Sequence, residues 1–159
     1  HVQAALVYRK HRHILNPGSE INENGLELNV GLAEFTGMML SGRNEIQLKN
    51  HLLKVIDDFQ RSESYVRSFA YITIPAYGYL LSKRERNWTR SISGQTNLTE
   101  YLCSSFGVHD GKGLDDNLTK NYNYTQITKE EADRSLRIEK RRTAYRVRFI
   151  ENPHLEISS

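Results

Sequence analysis

The residues best suited to binding chemistry lie between Tyr77 and Arg90, where aromatic and basic side chains are interleaved. Tyr79 and Trp88 carry rings that can stack on nucleobases, a contact worth roughly 1–3 kcal/mol per base. The cations of the same stretch can neutralise phosphates. These residue types predict a site for a nucleotide or an RNA end. The alternative interpretation has the rings packed in a core and the cations solvated.

Positive charge is concentrated in three short segments, although the chain has only three more basic than acidic residues. Residues 1–13, 83–90 and 134–148 carry net charges of +3, +3 and +6, which leaves −9 for the rest of the chain. Basic clusters on an acidic body favour a polyanion or an acidic partner, whereas solvated faces are the plainer interpretation. The candidate phosphate-binding residues are Lys83, Arg84, Arg86, Arg146 and Arg148.

No combination of residues predicts catalysis or a cofactor. His11 and His13 would share one face of a strand, but no third ligand lies near them in the sequence, so we predict no metal site. The adjacent pair Asp57-Asp58 has diverging side chains and does not form a matched acid and base. The sequence also lacks a nucleophile motif and a glycine-rich phosphate loop. We therefore expect a non-catalytic protein.

The predicted strands and helices that would position these residues together indicate an α+β fold, with an antiparallel β-sheet packed against a small helical bundle. A short apolar run predicts a strand at Gln3–Arg9, and alternation of apolar and polar residues predicts another at Leu26–Val30. A hairpin is predicted from Leu136–Lys140 and Ala144–Ile150, whose apolar and basic residues alternate.

Helices are predicted in the middle of the chain. Gly31–Leu40 has the pattern of a short helix, and Glu45–Gln60 repeats apolar residues every three to four positions after Asn44 as N-cap. A further helix is predicted between the N-cap Asn97 and Gly107, with the single cysteine on its buried stripe.

Three other segments are predicted from turn and capping residues. Pro75 and Gly78 interrupt regular structure within the aromatic stretch Tyr65–Leu81. His109–Asn123 is rich in Gly, Asp and Asn and is predicted to be a loop. Thr128 is predicted to open a short helix.

The length of 159 residues fits one domain with its own core, so we expect a single domain over residues 1–159. No apolar segment approaches the roughly 20 residues of a membrane span. The single residue Cys103 excludes an intrachain disulfide. Because the sequence begins at His1, we expect a domain excised from a larger protein of a reducing compartment.

Leu40–Glu45 and the helix after it resemble a helix–turn–helix segment in one viral protein family. The family is the cap-binding domain of polymerase basic protein two of orthomyxoviruses, and the resemblance is to thogotovirus-like members rather than to influenza viruses. Further similar segments follow in the same order, and they are Leu6–Lys10, Gly25–Val30, Tyr79–Arg84, Asn97–Val108 and Ser135–Lys140.

This resemblance implies a domain that holds the methylated guanosine cap of host pre-mRNA between two aromatic rings during cap snatching. Tyr79 falls at one of the two ring positions, Trp88 is the other stacking candidate and Glu34 is the guanine-reading candidate. The family's second ring and its carboxylate lie on a segment that is mostly missing here, and Val30 stands at the position of its base-reading Lys. Guanine donors without partners cost roughly 1–3 kcal/mol each. The resemblance thus implies a cap-binding fold with weak or absent cap binding.

The prediction is a non-catalytic domain of a viral RNA-dependent RNA polymerase subunit, acting in the host nucleus. Its expected partners are the other polymerase subunits and RNA, including weakly bound capped mRNA, and no membrane. One alternative is a functional cap-binding domain with a rebuilt site. The other is an unrelated RNA-binding or protein-interaction module.

Overall fold

A computed structural model of the chain describes residues 1–62, 68–108 and 116–152. Over these ranges the regular structure is entirely helical, and no strand forms. The predicted α+β fold with an antiparallel sheet is therefore wrong. The chain divides into two compact units, His1–Gly113 and Leu114–Ser159. Within the described ranges, every helix is too short or too polar to cross a membrane.

The described residues of the first unit form six α-helices. Its helices are α1 (Val2–Leu15), α2 (Ser19–Leu26), α3 (Leu32–Met39), α4 (Glu45–Gln60), α5 (Ala70–Ser82) and α6 (Leu98–Phe106). A π-helical turn at Glu27–Gly31 joins α2 to α3 without a break, since the residues on both sides keep helical backbone angles. A 3₁₀ turn at Trp88–Ser91 precedes α6.

The second unit contains α7 (Asp116–Asn121) and the long helix α8 (Tyr124–Arg146). A π-helical turn at Val147–Glu151 continues α8 directly, because Arg146 and Val147 keep helical backbone angles. The continuous helical segment is about 40 Å long at 1.5 Å per residue.

Each segment predicted as a strand lies in a helix. Gln3–Arg9 is part of α1, and Leu26–Val30 covers the end of α2 and its π turn. The hairpin predicted from Leu136–Lys140 and Ala144–Ile150 is a single stretch of α8 and the π turn that follows it. Short apolar or alternating runs do not distinguish strands from helices, and the Lys, Arg and Glu residues around 136–150 favour helix.

The helix predictions of the middle segment are confirmed. Asn44 caps α4, its side-chain oxygen accepting from the Gln47 amide at 3.0 Å while the Gln47 side chain accepts from the Asn44 amide at 2.9 Å. Asn97 caps α6 by accepting from the Glu100 amide at 3.2 Å. Gly107 ends α6 with a left-handed φ of 68°. Cys103 is buried in that helix, as predicted.

Three boundary predictions differ from the structure. α5 runs through Pro75 and Gly78, both of which are buried, so neither residue interrupts it. α8 begins at Tyr124, before Thr128. Of the predicted loop His109–Asn123, residues 116–121 form α7, and residues 109–115 lie outside the described part.

Two glycines bring the core helices of the first unit close together. A Cβ added to Gly31 would lie 2.7 Å from Ile74 Cγ1, and one added to Gly78 would lie 2.7 Å from Phe35 Cδ2 and Trp88 Cζ2. α5 therefore packs against α3 and the π turn at distances that only glycine permits at these points. α5 tolerates Pro75 in its interior, although proline costs roughly 3 kcal/mol there.

A buried ion pair links four helical elements of the first unit. Arg9 on α1 forms a bidentate pair with Glu27 on the π turn, with Arg9 Nη1 2.7 Å from Glu27 Oε1. Arg9 Nε also donates to Thr99 on α6 at 2.7 Å, and the Thr73 hydroxyl on α5 donates to Glu27 Oε1 at 2.6 Å. Glu27 is 0% exposed and Arg9 is 6% exposed. Burial alone would lower the pKa of Arg9, and the hydrogen bonds and charge of Glu27 raise it above its ordinary value.

Candidate nucleic-acid interface

Trp88, predicted to stack on a base, lies in the core of the first unit. Its side chain is 1% exposed. The ring packs on Phe35 at a centroid distance of 5.2 Å and on Tyr101 at 6.2 Å. A ring enclosed in this way presents no face to a nucleotide.

Tyr79, the other predicted stacking ring, is half-buried on α5. Lys83 Nζ lies 4.9 Å from the centre of the Tyr79 ring and 2.6 Å from Glu45 Oε1 on α4. The hydrogen bond and charge of Glu45 raise the pKa of Lys83, and Lys83 lowers the pKa of Glu45 in turn. One predicted phosphate ligand therefore already has an acidic partner and an aromatic one.

The other candidates of the first unit lie on its surface. Arg84 Nη1 donates to the Ser105 carbonyl at 3.0 Å, and its guanidinium lies 5.4 Å from the centre of the Phe106 ring. Arg86 is exposed beyond the end of α5, and Glu34 is exposed on α3. Tyr79 and Trp88 have different aromatic and cationic neighbours, so the predicted cap site is not assembled as a pair of rings facing one ligand.

The strongest positive surface of the described residues lies in the second half of α8 and the start of the π turn that continues it. Residues 134–148 have a net charge of +6, and no residue of α8 is buried. Arg134 pairs with Glu131, and Arg146 Nε pairs with Glu151 Oε1 at 3.1 Å. Four further cations of this segment are exposed and have no ion-pair partner among the described residues: Arg137, Lys140, Arg141 and Arg142.

Aromatic side chains lie at the end of this basic segment. Tyr145 is 54% exposed and Phe149 is 58% exposed, and their ring centroids are 5.9 Å apart at an angle of 55°. The guanidinium of Arg148 lies 5.2 Å from the centre of the Phe149 ring. Together with Arg142, Arg146 and Ile150, the two rings line a shallow groove that is open to solvent and is formed by this one helical segment. We call this groove the α8 slot.

The strand geometry that would have placed His11 and His13 on one face does not occur. His11 and His13 lie on α1, where residues two apart point to opposite faces rather than to one. His13 Nε2 instead lies 2.7 Å from Glu23 Oε2, which also pairs with Arg12. Within the described residues, no group of three or more His, Cys, Asp or Glu side chains is arranged to hold a metal ion.

Comparisons with known proteins give no relative for this chain. No protein-family model matches it, and searches of curated proteins and of solved structures found no match.

The sequence prediction included two residues of the α8 surface, Arg146 and Arg148, and missed the slot beside them. The signal was present, because Tyr145 and Phe149 are four residues apart and Arg142 precedes Tyr145 by three. On a helix this spacing places the three side chains along one side. The strand interpretation placed Tyr145 and Phe149 on an apolar sheet face turned away from the arginines.

Proposed function

We propose that the second unit binds RNA through the basic segment 134–148, which covers the second half of α8 and the start of its π turn. The observation that carries the proposal is a net charge of +6 on 15 residues of a helix that has no buried side chain. When cations along an exposed helix contact RNA phosphates, the counterions condensed on the RNA are released. This release drives sequence-independent binding. The exposed apolar residues of the same helix, Leu136 and Tyr145 among them, are available for contact with a partner as well.

The choice of RNA among polyanions comes from the sequence resemblance to a viral polymerase domain. The polymerase-subunit and cap-binding interpretations remain predictions from that resemblance. The fold that the resemblance implied is replaced by an all-helical one, and Trp88 is enclosed in the core. The proposal therefore includes no methylguanosine pocket and concerns the phosphate backbone alone.

The test measures binding of a labelled mixed-sequence RNA to the full chain by fluorescence anisotropy. The salt concentration is varied between about 50 and 200 mM, where phosphate contacts dominate the change in affinity. The key variant is the triple substitution Lys140→Ala, Arg141→Ala and Arg142→Ala. For a single strand we expect the negative slope of log affinity against log salt to become shallower by about 2, because each phosphate contact contributes about −0.7.

A matched control removes three exposed cations from the first unit, with the substitutions Arg43→Ala, Lys49→Ala and Lys54→Ala. We expect the control to keep the affinity and the salt slope of the unmodified chain. Equal losses in both triple variants would contradict the proposal, as would no measurable binding at 50 mM salt. Equal binding of polyglutamate would instead identify an acidic protein as the partner.

A further inference from the structure

The α8 slot combines an apolar floor with a cationic rim. Tyr145 and Phe149 present more than half of their surface to solvent, although large aromatic side chains gain most from being covered. Arg142 and Arg146 flank the same groove. A ligand that matches this arrangement has a flat apolar face with a negative charge close to it, and a nucleotide has both.

The two rings of the slot do not form a sandwich. Their centroids are 5.9 Å apart and their planes are tilted by 55°, so each ring contacts the other and no base fits between them. Arg148 occupies a position over Phe149. Tyr145 is therefore the ring that is available to stack on a base, and Phe149 supports it from the side.

The strandedness of the RNA follows from this geometry. In an A-form duplex the bases are stacked on one another, and the major groove is too deep and narrow for side chains to reach them. A base inside a duplex can therefore contact the Tyr145 ring only after it is unstacked and unpaired. Stacking is also tolerant of sequence, because every base has a flat π-face.

We infer that the α8 slot binds single-stranded RNA, with one base stacked on Tyr145 and its neighbouring phosphates on Arg142 and Arg146. This inference rests on the proposed RNA-binding function and adds the site and the form of the RNA. The pair between Arg146 and Glu151 is exposed, with its atoms 3.1 Å apart, so a phosphate can compete with the carboxylate for the guanidinium.

The experiment compares the unmodified chain with Tyr145→Leu and Tyr145→Trp. The probes are a labelled oligouridylate, an abasic oligomer of the same length and an RNA duplex. We expect Tyr145→Leu to weaken oligouridylate binding about fivefold to 100-fold and to leave the salt slope unchanged, because a stacking ring is lost and no charge is removed. Tyr145→Trp is expected to restore the affinity, and its fluorescence to be quenched by the stacked base.

The matched control is Tyr124→Leu, which removes a tyrosine from the other end of the same helix. We expect this control to bind oligouridylate like the unmodified chain. Because no residue of α8 is buried, the variants should keep the same helical circular-dichroism signal. Glu151→Gln is expected to raise the affinity by less than tenfold, since it removes a competing acid from Arg146.

The outcomes separate this inference from the proposed function. Salt-dependent RNA binding that is unaffected by Tyr145→Leu, or that is as tight for the duplex and the abasic oligomer, would overturn the slot and leave the phosphate-binding function intact. Absence of RNA binding in the unmodified chain would overturn both. Binding of an acidic peptide that depends on Tyr145 would replace RNA by a protein partner.

Discussion

Arg9 and Arg142 carry the same guanidinium group into opposite environments. Arg9 on α1 is buried, and its donors are taken by Glu27 on the π turn and Thr99 on α6. Arg142 is exposed on α8 and has no ion-pair partner among the described residues. The first arginine fixes how helices pack, whereas the second remains available to a partner. The comparison shows that a count of charges along a sequence does not distinguish structural from functional cations.

The largest expected effect comes from breaking the buried pair with Glu27→Ala. Arg9 would remain buried without its carboxylate, and the loss of one partner from such a pair costs about 3–5 kcal/mol. The free energy of unfolding, measured by chemical denaturation, is expected to fall by this amount. The control Glu139→Ala removes an exposed acid from α8 and is expected to change it by less than about 0.5 kcal/mol.

A double substitution tests whether the buried ion pair makes a net contribution to stability or only compensates for the cost of burying its two charges. Replacing both partners, with Arg9→Met and Glu27→Leu, is expected to recover most of the stability lost in Glu27→Ala, because no charge remains to be desolvated. If Glu27→Ala lowered the free energy of unfolding no more than Glu139→Ala does, the buried pair would not stabilise the fold. Arg9 would then contribute as little to stability as the exposed Arg142.

A smaller effect on stability is expected from two glycines that differ in the same way, Gly78 in the core and Gly37 on the surface. Gly78→Ala would push a methyl group against Phe35 and Trp88, and overpacking of this kind costs about 1–3 kcal/mol. Gly37 lies on the exposed face of α3 with no atom within 4 Å of an added Cβ. Gly37→Ala is therefore expected to raise the free energy of unfolding by up to about 1 kcal/mol, since alanine favours helix.

The opposite signs of these two glycine substitutions distinguish close packing from helix propensity. Both are measured by the same denaturation experiment. Stabilisation by Gly78→Ala would show that α5 and α3 can separate without cost, and the tight core described here would be contradicted.

The smallest effect is expected from the exposed pair of Glu45 and Lys83. The hydrogen bond and charge of Lys83 lower the pKa of Glu45 in the folded chain, so the pair stabilises the fold at pH values above the ordinary pKa of a glutamate. This contribution is lost as the pH falls through the lowered pKa of the folded state. Lys83→Met is expected to reduce stability slightly at neutral pH and not at all in strong acid.

High salt supplies the check on that last prediction. An exposed ion pair is screened, so about 1 M salt should remove the difference between Lys83→Met and the unmodified chain at neutral pH. A difference that persisted in high salt and in acid would arise from the lost contact between Lys83 and the Tyr79 ring.

Local signals predicted part of this fold well. The caps Asn44 and Asn97 and the terminal Gly107 act through contacts within three or four residues, so their positions could be predicted from the sequence. The strands at Leu26–Val30 and in 136–150 could not, because alternation over five residues is compatible with more than one backbone. In the first of these segments the buried residue is the acidic one, Glu27, which no pattern of apolar residues indicates.

The candidate site, too, was predicted from the sequence only in part. The sequence alone determined where the positive charge lies, including Arg146 and Arg148, because charge is a property of composition. Whether an aromatic ring is available was decided by the tertiary structure, which encloses Trp88 among core helices and leaves Tyr145 exposed on α8. The physical reason is that burial depends on which distant segments pack together, as Arg9, Glu27, Thr73 and Thr99 do here across 90 residues of chain.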